Sequence, residues 1–165
     1  TYFLPQLISS AEAMKTAIEY LEPMLSTDDG DGPKTTIVIA TVEGDYPRLR
    51  PFDAVMKFEN RLYIQTSREK DVYHQLKANP HVEICTAEPG RKWIRIMADA
   101  YEDDRREARC QMLKCMPFLK NRYNADDGKM TVFYLTKIKA AIYTNHAPTE
   151  VIECDDGKFP PQDKK

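Results

Sequence analysis

Three β-rich runs follow one another with only two to four residues between them. Thr35–Val42 is β-branched and nearly continuous, Glu43-Gly44-Asp45 turns the chain into Pro47–Phe58, and Glu59-Asn60 turns it again into Arg61–Thr66. Links this short join antiparallel neighbours, because a parallel pair needs a crossover of about a dozen residues or more. A doubly wound α/β architecture is therefore excluded for this half of the chain, and a meander that curls on itself is expected.

The remainder fits the same plan. A short helix is expected at about Glu69–Ala78, with Val72, Tyr73 and Leu76 on one face and Asn79-Pro80 ending it. Strands His81–Glu88 and Lys92–Tyr101 flank the turn signal Pro89-Gly90. Asp104 followed by Glu107 reads as a capping signature for a helix with Ala108, Met112, Cys115 and Met116 inward, stopped near Pro117. Met130–Thr144 is the last long strand, and Ala147–Lys165 reads as a trailing segment that frays after Val151-Ile152. At the other end, Ser9 with Glu12 opens a helix carrying Met14, Ala17, Ile18, Leu21 and Leu25 at helical spacing, and Ser26–Pro33 is a polar loop. The expected fold class is mainly β with peripheral helices (α+β), a six-stranded antiparallel barrel. Residues 1–33 form an N-terminal helix and loop, 34–153 the barrel domain, and 154–165 a polar tail.

Composition narrows the function. The 165 residues suffice for one core, and 42% hydrophobic with 30% charged residues is ordinary globular usage. Lys and Arg number 24 against 26 Asp and Glu, a net charge of -2, which argues against a broad basic face for nucleic acid. The longest apolar runs are too short to span a bilayer. No basic segment joined to an apolar core marks a signal peptide, so a cytoplasmic setting is expected. Cys85, Cys110, Cys115 and Cys154 form no C-x-x-C pair and read as buried small hydrophobes. His74, His81 and His146 are scattered, so no metal site is expected.

Chemistry concentrates in two stretches. In Arg48-Leu49-Arg50-Pro51-Phe52, strand alternation puts both arginines on the face of Phe52, Ala54, Met56 and Phe58. Guanidinium groups on a face that turns apolar need a partner, and their planar fork suits a phosphate or carboxylate. Pro51 cannot donate to a ladder, which places it at an edge or a bulge. The alternative is a pair of solvated arginines at the start of a strand, and spacing alone does not choose. The second stretch is Gln65-Thr66-Ser67-Arg68-Glu69-Lys70, where a strand passes into a helix. Thr66 or Ser67 is a natural N-cap, and free N–H groups there attract anions. Arg68 and Lys70 run against the helix dipole unless an anion sits between them, or unless Glu69 and Asp71 offset them. Trp93, the only tryptophan, shares a strand face with Arg95, opposite Ile94 and Ile96. Core ring, cofactor wall and interface anchor all remain open for it. Tyr63, Tyr101, Tyr134 and Tyr143 read as barrel packing with their hydroxyls at the rim. No nucleophile or acid–base carboxylate pair stands out.

Together these residues resemble the pyridoxamine 5'-phosphate oxidase-like flavoproteins of the FMN-binding split-barrel fold, closest to the nitroimidazole-reductase-like and stress-protein branch. The resemblance spans about Thr36–Glu153. It rests on Ile39-Ala40-Thr41-Val42-Glu43-Gly44, Pro47-Arg48-Leu49-Arg50-Pro51-Phe52, Leu62-Tyr63-Ile64-Gln65-Thr66-Ser67 with Lys70, Gln75-Leu76-Lys77-Ala78-Asn79-Pro80 and Trp93-Ile94-Arg95-Ile96. It implies a split barrel and a homodimer with FMN at the interface. Arg48 or Arg50 with Ser67 and Lys70 would hold the phosphate. Backbone around Pro51-Phe52 and Gln65-Thr66 would border the isoalloxazine, and Trp93 would come from the facing protomer. The implied activity passes electrons from NAD(P)H to a small acceptor. The alternative is a non-catalytic flavin or haem binding protein, a carrier or stress sensor on the same barrel. The chain ends in the polar stretch Cys154–Lys165 and not in a W-R-x-x-R-L-type sequence, so oxidation of pyridoxamine phosphate itself is not expected.

Overall fold

The computed structural model describes residues 37–87, 92–144 and 147–154. The expected N-terminal helix, the Pro89-Gly90 turn and most of the C-terminal tail lie outside them. Eight strands form one sheet: β1 (Ile37–Glu43), β2 (Tyr46–Phe52), β3 (Val55–Phe58), β4 (Arg61–Ser67), β5 (His81–Ala87), β6 (Lys92–Asp103), β7 (Met130–Thr144) and β8 (Ala147–Cys154). Helix α1 (Asp71–Ala78) follows β4, and α2 (Arg106–Cys115) with a 3₁₀ turn (Pro117–Asn121) follows β6.

The order is β2-β1-β5-β6-β7-β4-β3, with β8 on β7, and every pairing is antiparallel. The two ends of that path, β2 and β3, are consecutive in the chain with only Asp53 and Ala54 between them. Two residues span so little that the sheet has to curl until its edges meet, which makes it a barrel split at that joint. The turns have the expected chemistry. Glu59 and Asn60 both take positive φ (48° and 60°), as a type I′ hairpin demands, and Gly44 takes φ 59° between β1 and β2.

The strand count corrects the expected six for two reasons. Pro47–Phe58 is not one strand, because the chain leaves the ladder at Asp53-Ala54, and part of the trailing segment pairs with β7 as β8. The break also reverses strand parity. Phe52 and Val55 lie in the barrel core, whereas Ala54, Met56 and Phe58 pack in a second core under α2, so the face of Arg48, Arg50 and Phe52 does not continue through Ala54.

These two cores explain β4, in which every residue is buried. Leu62 and Ile64 face the barrel with Ile37, Ile39, Ile94, Ile96, Phe133 and Leu135, while Tyr63 faces Met112, Met130 and Val132 on the other side. Tyr63 does not reach the rim; its hydroxyl donates to the buried carboxylate of Asp103 at 2.9 Å. Helix α2 begins at Arg106, with Arg105 at its N-cap and no side-chain cap, so Asp104 does not cap it. Ala108, Met112 and Leu113 turn inward, whereas Cys115 is exposed. Cys85 is also exposed and Cys110 half-buried, which corrects the expectation of buried cysteines; the Cys154 side chain lies outside the described residues. No helix among the described residues is long and apolar enough to cross a membrane.

Ile64→Ala should lower the free energy of unfolding by about 2–5 kcal/mol, because its cavity would open in a core walled on all sides. Leu49→Ala, at a side chain 70% exposed, should stay within about 0.5 kcal/mol. Urea denaturation of both variants checks the contrast.

Candidate functional site

Strand pairing sets the face of the first arginine stretch. Thr41 lies opposite Arg48, Ile39 opposite Arg50 and Ile37 opposite Phe52. Because Ile37 and Ile39 are core residues, Arg48 and Arg50 turn to the concave side, where α1 crosses the barrel with Val72 and Leu76 inserted. Between the β1–β2 hairpin and the start of α1 lies an open cleft of about 600 Å³, whose charged and polar walls are Glu43, Arg48, Arg50, Glu69, Lys70, Asp71 and Gln75.

Arg50 is the fixed point of this cleft. Its Nη1 donates to Thr41 Oγ1 at 2.6 Å and its Nη2 to Gln75 Oε1 at 2.5 Å, while Thr41 Oγ1 itself donates to Gln75 Oε1 at 2.6 Å. Both partners are neutral, so the guanidinium is oriented without being neutralised. Burial and the neighbouring Arg48 hold its pKa below the ordinary guanidinium range, outweighing the opposite pull of Asp71 and Glu43. Arg48 differs. Its Nε donates to Glu43 Oε2 at 2.7 Å, and Arg48 together with Gln75 holds the Glu43 carboxyl below the usual carboxylate range.

The second stretch contributes Lys70. The helix starts at Asp71, two residues later than expected, with Lys70 itself at the N-cap and no side chain capping it. Thr66 and Ser67 are the end of β4 and not helix caps. Ser67 is buried and serves the intervening turn, its Oγ accepting from the Glu69 N–H at 3.3 Å and its carbonyl from the Lys70 N–H at 3.1 Å. Glu69 pairs with Lys129 at 3.1 Å, and no carboxylate among the described residues lies within ion-pair distance of Lys70. Thr66 is 1% exposed, and its Oγ1 has no hydrogen-bond partner among the described residues.

Other expected residues go elsewhere. Phe52 is in the barrel core, and Pro51 lies exposed on the edge strand β2, as its missing N–H requires. Gln65 is buried, donating its side-chain amide to Thr66 O at 2.8 Å and its backbone N–H to Ala54 O at 3.2 Å. Arg68 turns to the opposite flank of α1, where Glu102 accepts from it at 2.9 and 3.0 Å and Asp104 at 2.7 Å. Trp93 faces the outside of the sheet, opposite the core side chains Ile94 and Ile96. It stacks on Tyr143 with ring centroids 3.9 Å apart, and Arg95 lies over both rings. The cleft thus gathers Arg48, Arg50 and Lys70, with Thr66 and Ser67 on the strand leading to it. In its own chain, Trp93 lies across the sheet.

Thr41, Glu43 and Gln75 were not singled out as site residues from the sequence. Thr41 falls in phase with Ile37 and Ile39, and Gln75 shares the buried face of α1 with Val72 and Leu76. A polar residue in an apolar phase was the available signal for both.

The sequence profile of the pyridoxamine 5'-phosphate oxidase family matches residues 33–136. The chain belongs to this family. Its fold agrees with a NimC/NimA family protein from Clostridium acetobutylicum at a TM-score of 0.76 and 35% identity, over 87% of this chain and 94% of that one. General stress protein 26 from Bacillus anthracis shares the fold at a TM-score of 0.63 and 16% identity, over 87% and 97% of the two chains. A stretch of 42 residues is 52% identical to methionine synthase of Mycobacterium tuberculosis, 26% of this chain but 4% of that protein, too little to bring its activity here.

The flank of α1 away from the cleft yields a pH test. Burial alone would raise the Glu102 pKa, but hydrogen bonds from Thr131, Arg68 and Lys77 outweigh it and bring the carboxyl below its ordinary 4.5. A carboxyl lowered by folding stabilises the fold above its unfolded pKa, and that stability is lost as pH falls through the folded value. Glu102→Gln should therefore flatten the acid limb of stability below about pH 4.5, read as the urea midpoint against pH.

Proposed function

We propose that the protein is an FMN-dependent oxidoreductase that draws electrons from NAD(P)H and passes them to a small acceptor. The observation that carries this reading is the convergence of Arg50 and Lys70 on one cleft, the first hydrogen-bonded to neutral groups and the second without a carboxylate partner among the described residues. Two donors of this kind fit a phosphate, whose charge would complete what Thr41 and Gln75 leave uncompensated. The helix start without a side-chain cap fits the same group.

Arg50 and Lys70 would hold the phosphate, Gln75 and Thr41 would keep Arg50 aimed, and the end of β4 would border the ring. Flavin bound there supplies hydride chemistry, so the chain's own residues need only bind, orient and shape the field around it. A homodimer belongs to this reading. Trp93 faces away from the cleft of its own chain, so it can wall only the cleft of a second copy. The outer sheet face bearing Trp93 also carries Met97, 52% exposed, and Leu49. The setting proposed is cytoplasmic.

Arg50→Ala and Lys70→Ala should each weaken FMN binding about tenfold to a hundredfold, since a charge-assisted contact contributes about 1.5–3 kcal/mol. Calorimetric titration with FMN reads this directly. Anaerobic NADH or NADPH should then bleach the bound flavin. Bleaching by neither would leave a flavin carrier, and wild-type affinity in both variants would remove the cleft from cofactor binding.

A further inference from the structure

We infer that Glu43 makes this cleft selective for a ligand ending in a phosphate monoester, and disfavours a ligand whose phosphate continues into a second anionic group. The inference rests on the cleft being a phosphate site, as proposed above.

Glu43 stands at the end of β1, on the wall common to two depressions. One is the cleft of Arg50 and Lys70. The other, of about 400 Å³, runs along the same side of α1 past Val42, His74, Ala78 and Asn79, and shares Glu43 and Gln75 with the first. The two depressions share that wall, so a longer, pyrophosphate-linked ligand reaching from one toward the other passes Glu43. What such a ligand meets at the junction is a carboxylate. Glu43 is held ionised by Arg48 Nε at 2.7 Å, and that same pair engages the one further cation the second phosphate would need.

The two ligand classes are affected differently. A monoester presents its whole charge to Arg50 and Lys70, the two cations not held by a carboxylate, and stops there. A diester brings less charge to that pair and adds another anion beside Glu43. Like charges set side by side discriminate against one ligand without improving the contacts of the other. Both Glu43 and Arg48 are about half exposed, so the effect is moderate and screened by salt.

The test compares FMN with flavin adenine dinucleotide by calorimetric titration at low and high salt, in the wild type, Glu43→Gln and Glu43→Asp. Wild type should prefer FMN. Glu43→Gln should narrow that preference about three- to tenfold at low salt, with the narrowing fading at high salt. Glu43→Asp, which keeps the charge, should retain the preference. An unchanged ratio in Glu43→Gln, an equal change in Glu43→Asp, or a change indifferent to salt would overturn the inference. Arg50→Ala and Lys70→Ala separate the two levels. If they weaken FMN binding while Glu43→Gln leaves the ratio unmoved, only the role of Glu43 fails. If both bind FMN like wild type, the phosphate site fails and this inference with it.

Discussion

The hydrogen bonds of Arg50 to Thr41 and Gln75 tie the β1–β2 hairpin to the helix lying across the barrel. They hold a cation, partly withdrawn from water, between two neutral acceptors. A carboxylate in either place would have given a closed ion pair with nothing left to offer. A purely apolar pair would have left the guanidinium unsatisfied, which burial makes costly. Neutral acceptors solve the structural problem and leave the electrostatic one open, and the cleft of this protein is built around that remainder.

The frame that places Arg50 is a sheet with cores on both of its faces. Strand β7 pairs β6 along its length, while its other edge passes from β4 to β8. The change of partner falls near Lys137, whose φ of 50° and whose ion pair to Asp99 mark the bend, opposite the irregularity between Met97 and Asp99. At the other end of the path, the parity reversal at Asp53-Ala54 lets one stretch of chain serve the barrel core before the break and the α2 core after it. Arg48 and Arg50 stay on the concave side because they precede the reversal.

Helix α1 separates two electrostatic environments. On one flank Arg68 and Lys77 are satisfied by Glu102, with Tyr73 and Thr131 completing that carboxylate. On the other flank Arg50 and Lys70 have no carboxylate bound to them among the described residues. A chain with 24 basic and 26 acidic side chains has no excess of positive charge to spread. Three cations and three carboxylates line the cleft, and Glu43 takes Arg48 while Lys129 takes Glu69, so Arg50 and Lys70 stand outside the ion pairs by local pairing and not by composition.

The sequence alone determined the antiparallel hairpins and their turns, that Pro51 lies at an edge or a bulge, and the face shared by Arg48 and Arg50. Each follows from short-range rules: two-residue links, φ preferences, the missing proline N–H and the period of a strand. It also carried the residues that mark the family. Only the tertiary structure decided that Arg68 turns away while Lys70 remains at the cleft, that Thr41 and Gln75 aim Arg50, and that Trp93 faces outward. Those outcomes depend on which side chains meet across 25 to 34 positions of chain, as Arg50 meets Gln75 and Arg68 meets Glu102. The identity of neighbouring residues carries no record of such meetings. The break at Asp53-Ala54 was hidden because Phe52, Ala54, Met56 and Phe58 keep an apolar period of two straight across it, although Phe52 enters one core and the other three enter the second.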